Sequence, residues 1–196
     1  MLSTAPTVIP FLAEGQVRPG DATFSLVLSS SALLAEFEAR LLLDAAARGQ
    51  DSVLICGDNR LDAYGLLARA RAMGIEDALA DGVHLARAFT LHQFVALVEE
   101  TLPRMARETD ASLALVTGSL DLFADEDVTE AEARVLLPRM MRRLGALAHR
   151  DMIVVATGDA RSRHADLARE HAPHREISRI APSARQPRLD AFVEVA

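Results

Sequence analysis

Five short runs with little polar alternation punctuate the chain, at residues 23–28, 52–56, 83–88, 112–117 and 151–157. Apolar, β-branched-rich runs of this length bounded by turn formers predict strands, and their near-continuous apolarity predicts a sheet covered on both faces. Between them lie stretches with helical spacing at residues 33–48, 62–73, 91–108 and 129–149. In the last of these Val135, Leu136, Met140, Leu144 and Leu147 form an apolar stripe opposite Arg134, Arg139, Arg142, Arg143 and Arg150. The alternation of strands and helices predicts an α/β fold with a mainly parallel sheet and right-handed crossovers.

Local signals sharpen the boundaries. Thr129 stands three residues before Glu132, the spacing of a capping box. Asp58-Asn59 reads as a turn, or as a carboxylate placed at the carboxyl end of a strand, where α/β sheets bind ligands. Pro103 and Pro138 fall inside helical patterns and predict kinks or first turns. Residues 175–180 and 188–195, separated by a proline-bounded stretch, predict a closing C-terminal β-hairpin on the sheet edge.

With 196 residues, half of them hydrophobic, the chain is sized for one core, so a single domain over residues 1–196 is expected. No apolar run approaches the roughly 20 residues of a membrane span, and the first ten residues lack the basic start of a signal peptide. A soluble, cytoplasmic protein with no membrane partner is expected. Cys56, the single cysteine, sits in an apolar run and reads as a small buried hydrophobe, and no disulfide framework or zinc cluster can be built. The formal charge of −7 argues against broad attraction to nucleic acid. All 21 basic side chains are arginine, which removes every mechanism that needs a lysine.

The middle of the chain resembles the RecA/RadA recombinase family. Leu85-Ala86-Arg87-Ala88-Phe89, followed by His92-Gln93, is similar to that family's "ARAF…HQ" passage from strand to helix. Residues 69–79 (RARAMGIEDAL) resemble the helix and turn before it. Residues 112–123 (SLALVTGSLDLF) resemble the strand of the second nucleotide motif, and residues 129–158 resemble the long helix and "VVVTNQ" strand. About three-quarters of the chain is covered, in the right order. The resemblance implies a RecA-like P-loop NTPase fold, here without the N-terminal helical or polymerisation extension, since only about 20 residues precede the first strand. Phe11 is expected to fill part of the core instead.

The same comparison implies a degenerate P-loop. A working loop needs glycines, a lysine and a hydroxyl residue to cradle phosphate and magnesium. This chain reads Ser29-Ser30-Ser31-Ala32-Leu33-Leu34-Ala35-Glu36, with no glycine between Gly20 and Gly49. Ala35 falls near the family's lysine and Glu36 near its hydroxyl residue, so an acid is expected to face the phosphates. Thr117, followed by Gly118 and Ser119, takes the place of the magnesium-organising aspartate. Asp58 corresponds to the catalytic glutamate, and Thr157-Gly158-Asp159 to the sensor-like "TNQ". Phosphoryl transfer rests on positioning and electrostatics, so these losses together are expected to abolish ATP hydrolysis. The expectation is a pseudo-ATPase with no catalytic residues, metal or cofactor, and a remnant nucleotide site at Ser29, Ser30, Ser31, Asp58, Thr117 and Asp159.

Other features carry a structural reading, some with a functional one beside it. The serine triplet is a helix cap or an anion site at a helix N-terminus. His84 and His92 read as packing or hydrogen-bonding side chains. Arg161, Arg163, Arg169 and Arg175 lie in the one cation-rich stretch, with His164, His171 and His174; they are a solvated loop and helix or weakened single-strand DNA contacts, without base-stacking aromatics. The acidic run at residues 121–127 reads as a solvated turn. Three functions compete: a non-catalytic RecA/RadA-like interaction or regulatory partner in recombination or DNA repair, binding a RecA-type protein or itself as a homo-oligomer; a nucleotide- or anion-sensing module without turnover; and a weak single-stranded DNA-binding accessory protein.

Overall fold

The computed structural model describes residues 24–58, 60–148 and 152–176. The strands are β1 (Phe24–Ser29), β2 (Ser52–Cys56), β3 (Val83–Arg87), β4 (Leu113–Thr117), β5 (Ile153–Asp159) and β6 (His174–Glu176). The helices are α1 (Ser31–Ala46), α2 (Ala63–Ala72), α3 (Glu76–Gly82), α4 (Leu91–Ala96), α5 (Leu102–Thr109), α6 (Glu130–Leu147) and α7 (Ala165–His171). A π turn, Leu97–Thr101, joins α4 to α5, and a 3-10 turn, Leu122–Ala124, follows β4.

The strands form one sheet in the order β3-β2-β4-β5-β1-β6, every pair parallel. This order determines where the helices go. The β1→β2 and β2→β3 connections run toward the β3 edge, whereas the three later connections run back toward β6. Right-handed crossovers in opposite directions must cover opposite faces. The core divides accordingly. Leu34, Phe37, Leu41, Leu66 and Leu79 of α1, α2 and α3 pack on one face, with Val27, Leu54 and Leu115 of the sheet. Phe94, Leu102, Leu137 and Ala168 of α4 to α7 pack on the other, with Leu26, Ile55 and Val116. Alternate residues of each central strand serve opposite layers, which is why those strands read as unbroken apolar runs.

Several boundaries carry their own causes. Thr129 accepts the N–H of Glu132 at 3.2 Å while the Glu132 side chain returns to the Thr129 N–H at 3.3 Å, a complete capping box. Asp62 caps α2 by accepting the N–H of Gly65 at 2.9 Å. Gln93 ties β3 to α4: its side-chain oxygen accepts the Phe89 N–H at 3.0 Å, and its own N–H reaches Thr90 Oγ1 at 3.3 Å. Pro103, which has no N–H to donate, sits in the first turn after the π turn, whereas α6 runs continuously through the buried Pro138.

One expectation needs correction. Val135 is 64% exposed and does not belong to the buried stripe of α6, which consists of Ala133, Leu137, Met140, Met141 and Leu144. The helix is rotated toward this set because its i, i+4, i+7, i+8, i+11 spacing follows one face more closely. At the start of the segment expected to form a C-terminal hairpin, β6 extends the sheet as a parallel neighbour of β1; the rest of that segment, residues 177–196, and Phe11 lie outside the described residues.

Candidate functional site

Parallel α/β sheets bind ligands beyond the carboxyl ends of strands whose outgoing chains diverge to opposite faces. Here β1 and β5 are such a pair, and so are β2 and β4. The residues just past those four ends converge on one side chain that the sequence reading did not single out. Arg60, between β2 and α2, donates from Nε and Nη2 to Asp58 Oδ2 at 3.1 and 2.8 Å. Its Nη2 also reaches Asp121 Oδ2 at 3.1 Å, and its Nη1 donates to Ser31 Oγ at 2.7 Å. Ser31 Oγ in turn donates to Asp159 Oδ2 at 3.3 Å. Thr117 Oγ1 donates to the other Asp58 oxygen at 3.3 Å.

The backbone is shaped to admit this cluster. Gly118 has φ +60, and a Cβ there would lie 2.6 Å from the Asp58 Cβ. Both the left-handed conformation and the close approach therefore require glycine. The Asp58 carboxylate is thereby withdrawn from water, its side chain only 3% exposed. Charge-assisted hydrogen bonds from a planar guanidinium offset the cost of that burial.

Glu38 completes the acidic wall from one side. It is buried in α1 and accepts the Thr157 hydroxyl. Burial pushes its carboxyl up to about 7; Thr157 and Arg60 oppose the shift, and Asp58 and Asp121 add to it. Burial likewise raises the Asp121 carboxyl against the pull of Arg60. Asp58 and Asp121 thus pair directly with one guanidinium, Asp159 reaches it through Ser31, and Glu38 stands nearby without an ion pair among the described residues; the guanidinium occupies the ground between Ser31 and the strand ends. Chemically the arrangement favours a cation over a phosphate.

The position of the acid differs from the expectation. Glu36 does not face the strand ends: it pairs with Arg40 at 2.6 Å and Arg69 at 2.8 Å, toward α2. Glu38, two residues on, is the inward acid, since the helix turns about 100° per residue. Within the acidic run at residues 121–127, Asp121 is not merely solvated but turned toward Arg60.

The remnant-site residues divide by role. Ser31, Asp58, Thr117 and Asp159 are brought together. Ser29 is buried at the end of β1, with its carbonyl accepting the Ala160 N–H at 3.0 Å. Ser30 occupies the N-cap position of α1 without a side-chain cap hydrogen bond. Of the candidate DNA contacts, Arg163 points back into the chain and donates to the carbonyls of Phe123, Asp125 and Val128 at 3.3, 3.0 and 3.4 Å. Arg169 pairs with Asp166 at 2.6 Å, Arg161 is exposed, and Arg175 lies on β6. His164 is buried edge-on to Phe123, His92 stands exposed near Glu132, and His84 Nε2 is buried without a hydrogen-bond partner. The buried Cys56 thiol is pushed up to about 11 by burial, which makes it a poor nucleophile. Among the described residues no group of three His, Cys, Asp or Glu side chains could hold a metal ion, and no helix is long and apolar enough to cross a membrane.

Neither Arg60 nor Glu38 was predicted from sequence. The Asp58 turn was the one available signal for Arg60, because a strand-end carboxylate with an arginine two residues on is a ready pair. Glu38 offered another: an acid in an otherwise apolar helical stripe. No protein-family model matches the chain, and no curated protein sequence does either.

Proposed function

We propose that this chain is a RecA/RadA-like protein without phosphoryl-transfer chemistry, acting as an interaction or regulatory partner of a RecA-type protein, or of a second copy of itself, in recombination or DNA repair. The observation that carries this reading is the outer edge of the sheet. Among the described residues β3 has a neighbour on one side alone, β2. Beside it Leu85 is 48% exposed and Phe89 is 74% exposed. An edge strand offers unpaired backbone groups to an incoming extended segment, and large apolar side chains next to it give that segment something to bury. The Arg87 guanidinium lies 5.3 Å from the centre of the Phe89 ring, so the ring has a fixed neighbour on its exposed perch.

These residues belong to the segment on which the family resemblance is strongest. The strand ends support the same reading from the other side: their carboxylates are engaged by Arg60, and the chain has no lysine to hold phosphate. A fold is retained when its surface rather than its site is used.

The test is a binding measurement between the purified chain and the RecA-type recombinase of the same cell, repeated with the chain alone for self-association. Changing Leu85→Glu together with Phe89→Glu is expected to weaken binding by about tenfold or more, the scale of losing interface anchors, with an unchanged circular-dichroism spectrum. Equal binding by the double variant removes the edge from the interface. Failure of any RecA-type protein to co-purify from the native cell ends the recombination assignment.

A further inference from the structure

Between α1 and α2 lies a cavity of about 660 Å³, within the range of small-molecule sites. Its apolar lining includes Ala35 and Ala39 from α1, and Leu66, Ala68, Ala72 and Met73 from α2 and its end. Alanine on both helices leaves between them a volume that longer side chains would fill. The charged groups around it are largely satisfied. Glu36 pairs with Arg40 and Arg69, Arg60 with Asp58 and Asp121, and Asp62 accepts the Gly65 N–H.

Glu38 is the exception. It lines the same cavity, is 9% exposed, and holds one hydrogen bond, from the Thr157 hydroxyl. Among the described residues no cation forms an ion pair with it. The nearest guanidinium, Arg60, is engaged by Asp58 and Asp121, and a carboxylate withdrawn from water without an ion pair of its own costs free energy that an arriving ammonium would recover. The apolar walls suit a hydrocarbon body and the buried carboxylate suits a cationic head, a complementarity that sets the class of occupant.

We propose that this cavity binds a small organic cation, a primary ammonium on an apolar chain, with the ammonium on Glu38 and the chain along the alanine-lined walls. The proposal stands apart from the partner reading, since it uses none of the β3 edge residues. The groups facing Glu38 are Thr157 from β5, Asp58 and Arg60 from the end of β2, and Asp121 from the turn after β4. Burial first, with Asp58 and Asp121 adding to it, puts the carboxyl at about 7. The carboxylate that the ammonium needs therefore forms as pH rises through neutrality, and binding strengthens in that direction.

The probes are hexylammonium, 1-hexanol and hexanoate, titrated calorimetrically into the full chain, with methyl shifts of Ala39, Ala68 and Met73 reporting the place of binding. At pH 8 hexylammonium is expected to bind about tenfold tighter than hexanol, with hexanoate weakest. The hexylammonium affinity should fall about tenfold from pH 8 to pH 6, the ratio of ionised fractions for a group titrating near 7. Glu38→Gln should level the amine with the alcohol while leaving the alcohol within about twofold, since it removes the charge and keeps the size. Ala68→Leu, at an exposed position on the wall, should weaken both ligands about tenfold by filling the space. Equal affinity for amine and alcohol in the native chain overturns the proposal. So does an amine preference that survives Glu38→Gln, binding that ignores Ala68→Leu, shifts confined to other methyls, or no binding at millimolar ligand.

Discussion

Glu38 couples protonation to folding. In the unfolded chain its carboxyl titrates near 4.5, and in the folded chain near 7, chiefly because burial disfavours the charge. The folded state therefore holds the proton over a window in which the unfolded state has released it. The stabilisation is fully present below the unfolded value and is lost as pH rises through the folded one. At about 1.4 kcal/mol per unit, the loss amounts to about 3 kcal/mol. Denaturant titrations of the native chain and Glu38→Gln are expected to diverge by that amount between pH 4.5 and pH 7.5, with the native chain falling. Glu36 and Glu99, held low by their arginines, work in the opposite sense in both proteins and cancel in the comparison. Parallel curves would show that the Glu38 carboxyl is not shifted. The local signals for Arg60 and Glu38 are weak because each acquires its meaning from partners distant along the chain. Arg60 meets Ser31, 29 positions away, and Glu38 meets Thr157, 119 positions away.

The helices and strands were more legible, for local reasons. Strand runs such as Ser52–Cys56 are buried at every position, and apolar at all but Ser52, because helices cover both faces, and that pattern survives in sequence. Caps such as Thr129 with Glu132 are set within a single turn. Replacing Thr129 with Ala removes a hydroxyl acceptor from the N-terminus of α6 and is expected to cost about 1 kcal/mol, read as a lower denaturant midpoint with an unchanged slope. A shift below a quarter of that would mean that water replaces the cap. What was missed at this scale has equally local causes. α3 spans only Glu76–Gly82, too short for an apolar stripe to show, and Val135, at the margin of the α6 stripe by spacing, is exposed. Gln93 likewise acts locally, tying Phe89 at the end of β3 to the first turn of α4.

The described residues form one sheet with a packed layer on each face, so the two layers stabilise the same strands. Leu43 and Leu137 are fully buried in opposite layers. Truncating either to Ala is expected to cost about 2–5 kcal/mol, and the double variant should lose the sum to within about 0.5 kcal/mol because the sites share no partner. Both single variants should keep one transition, with coincident far-ultraviolet and fluorescence-probe midpoints. Two separated transitions in either would mean that the layers fold as independent units. The strand order has a further consequence, in time rather than in space. β1 is the first described strand made, yet it pairs with β5 and β6 and not with β2; Phe24 waits for Val154, 130 residues later. At cellular synthesis rates that delay is on the order of 10 s. For that interval the nascent chain carries an apolar strand with both edges open, while β2, β3 and β4 can already assemble beside it. Among the described strands β1 is thus the last to be enclosed, and the growing polypeptide is most exposed to a holdase or to aggregation just before residues 153–159 emerge.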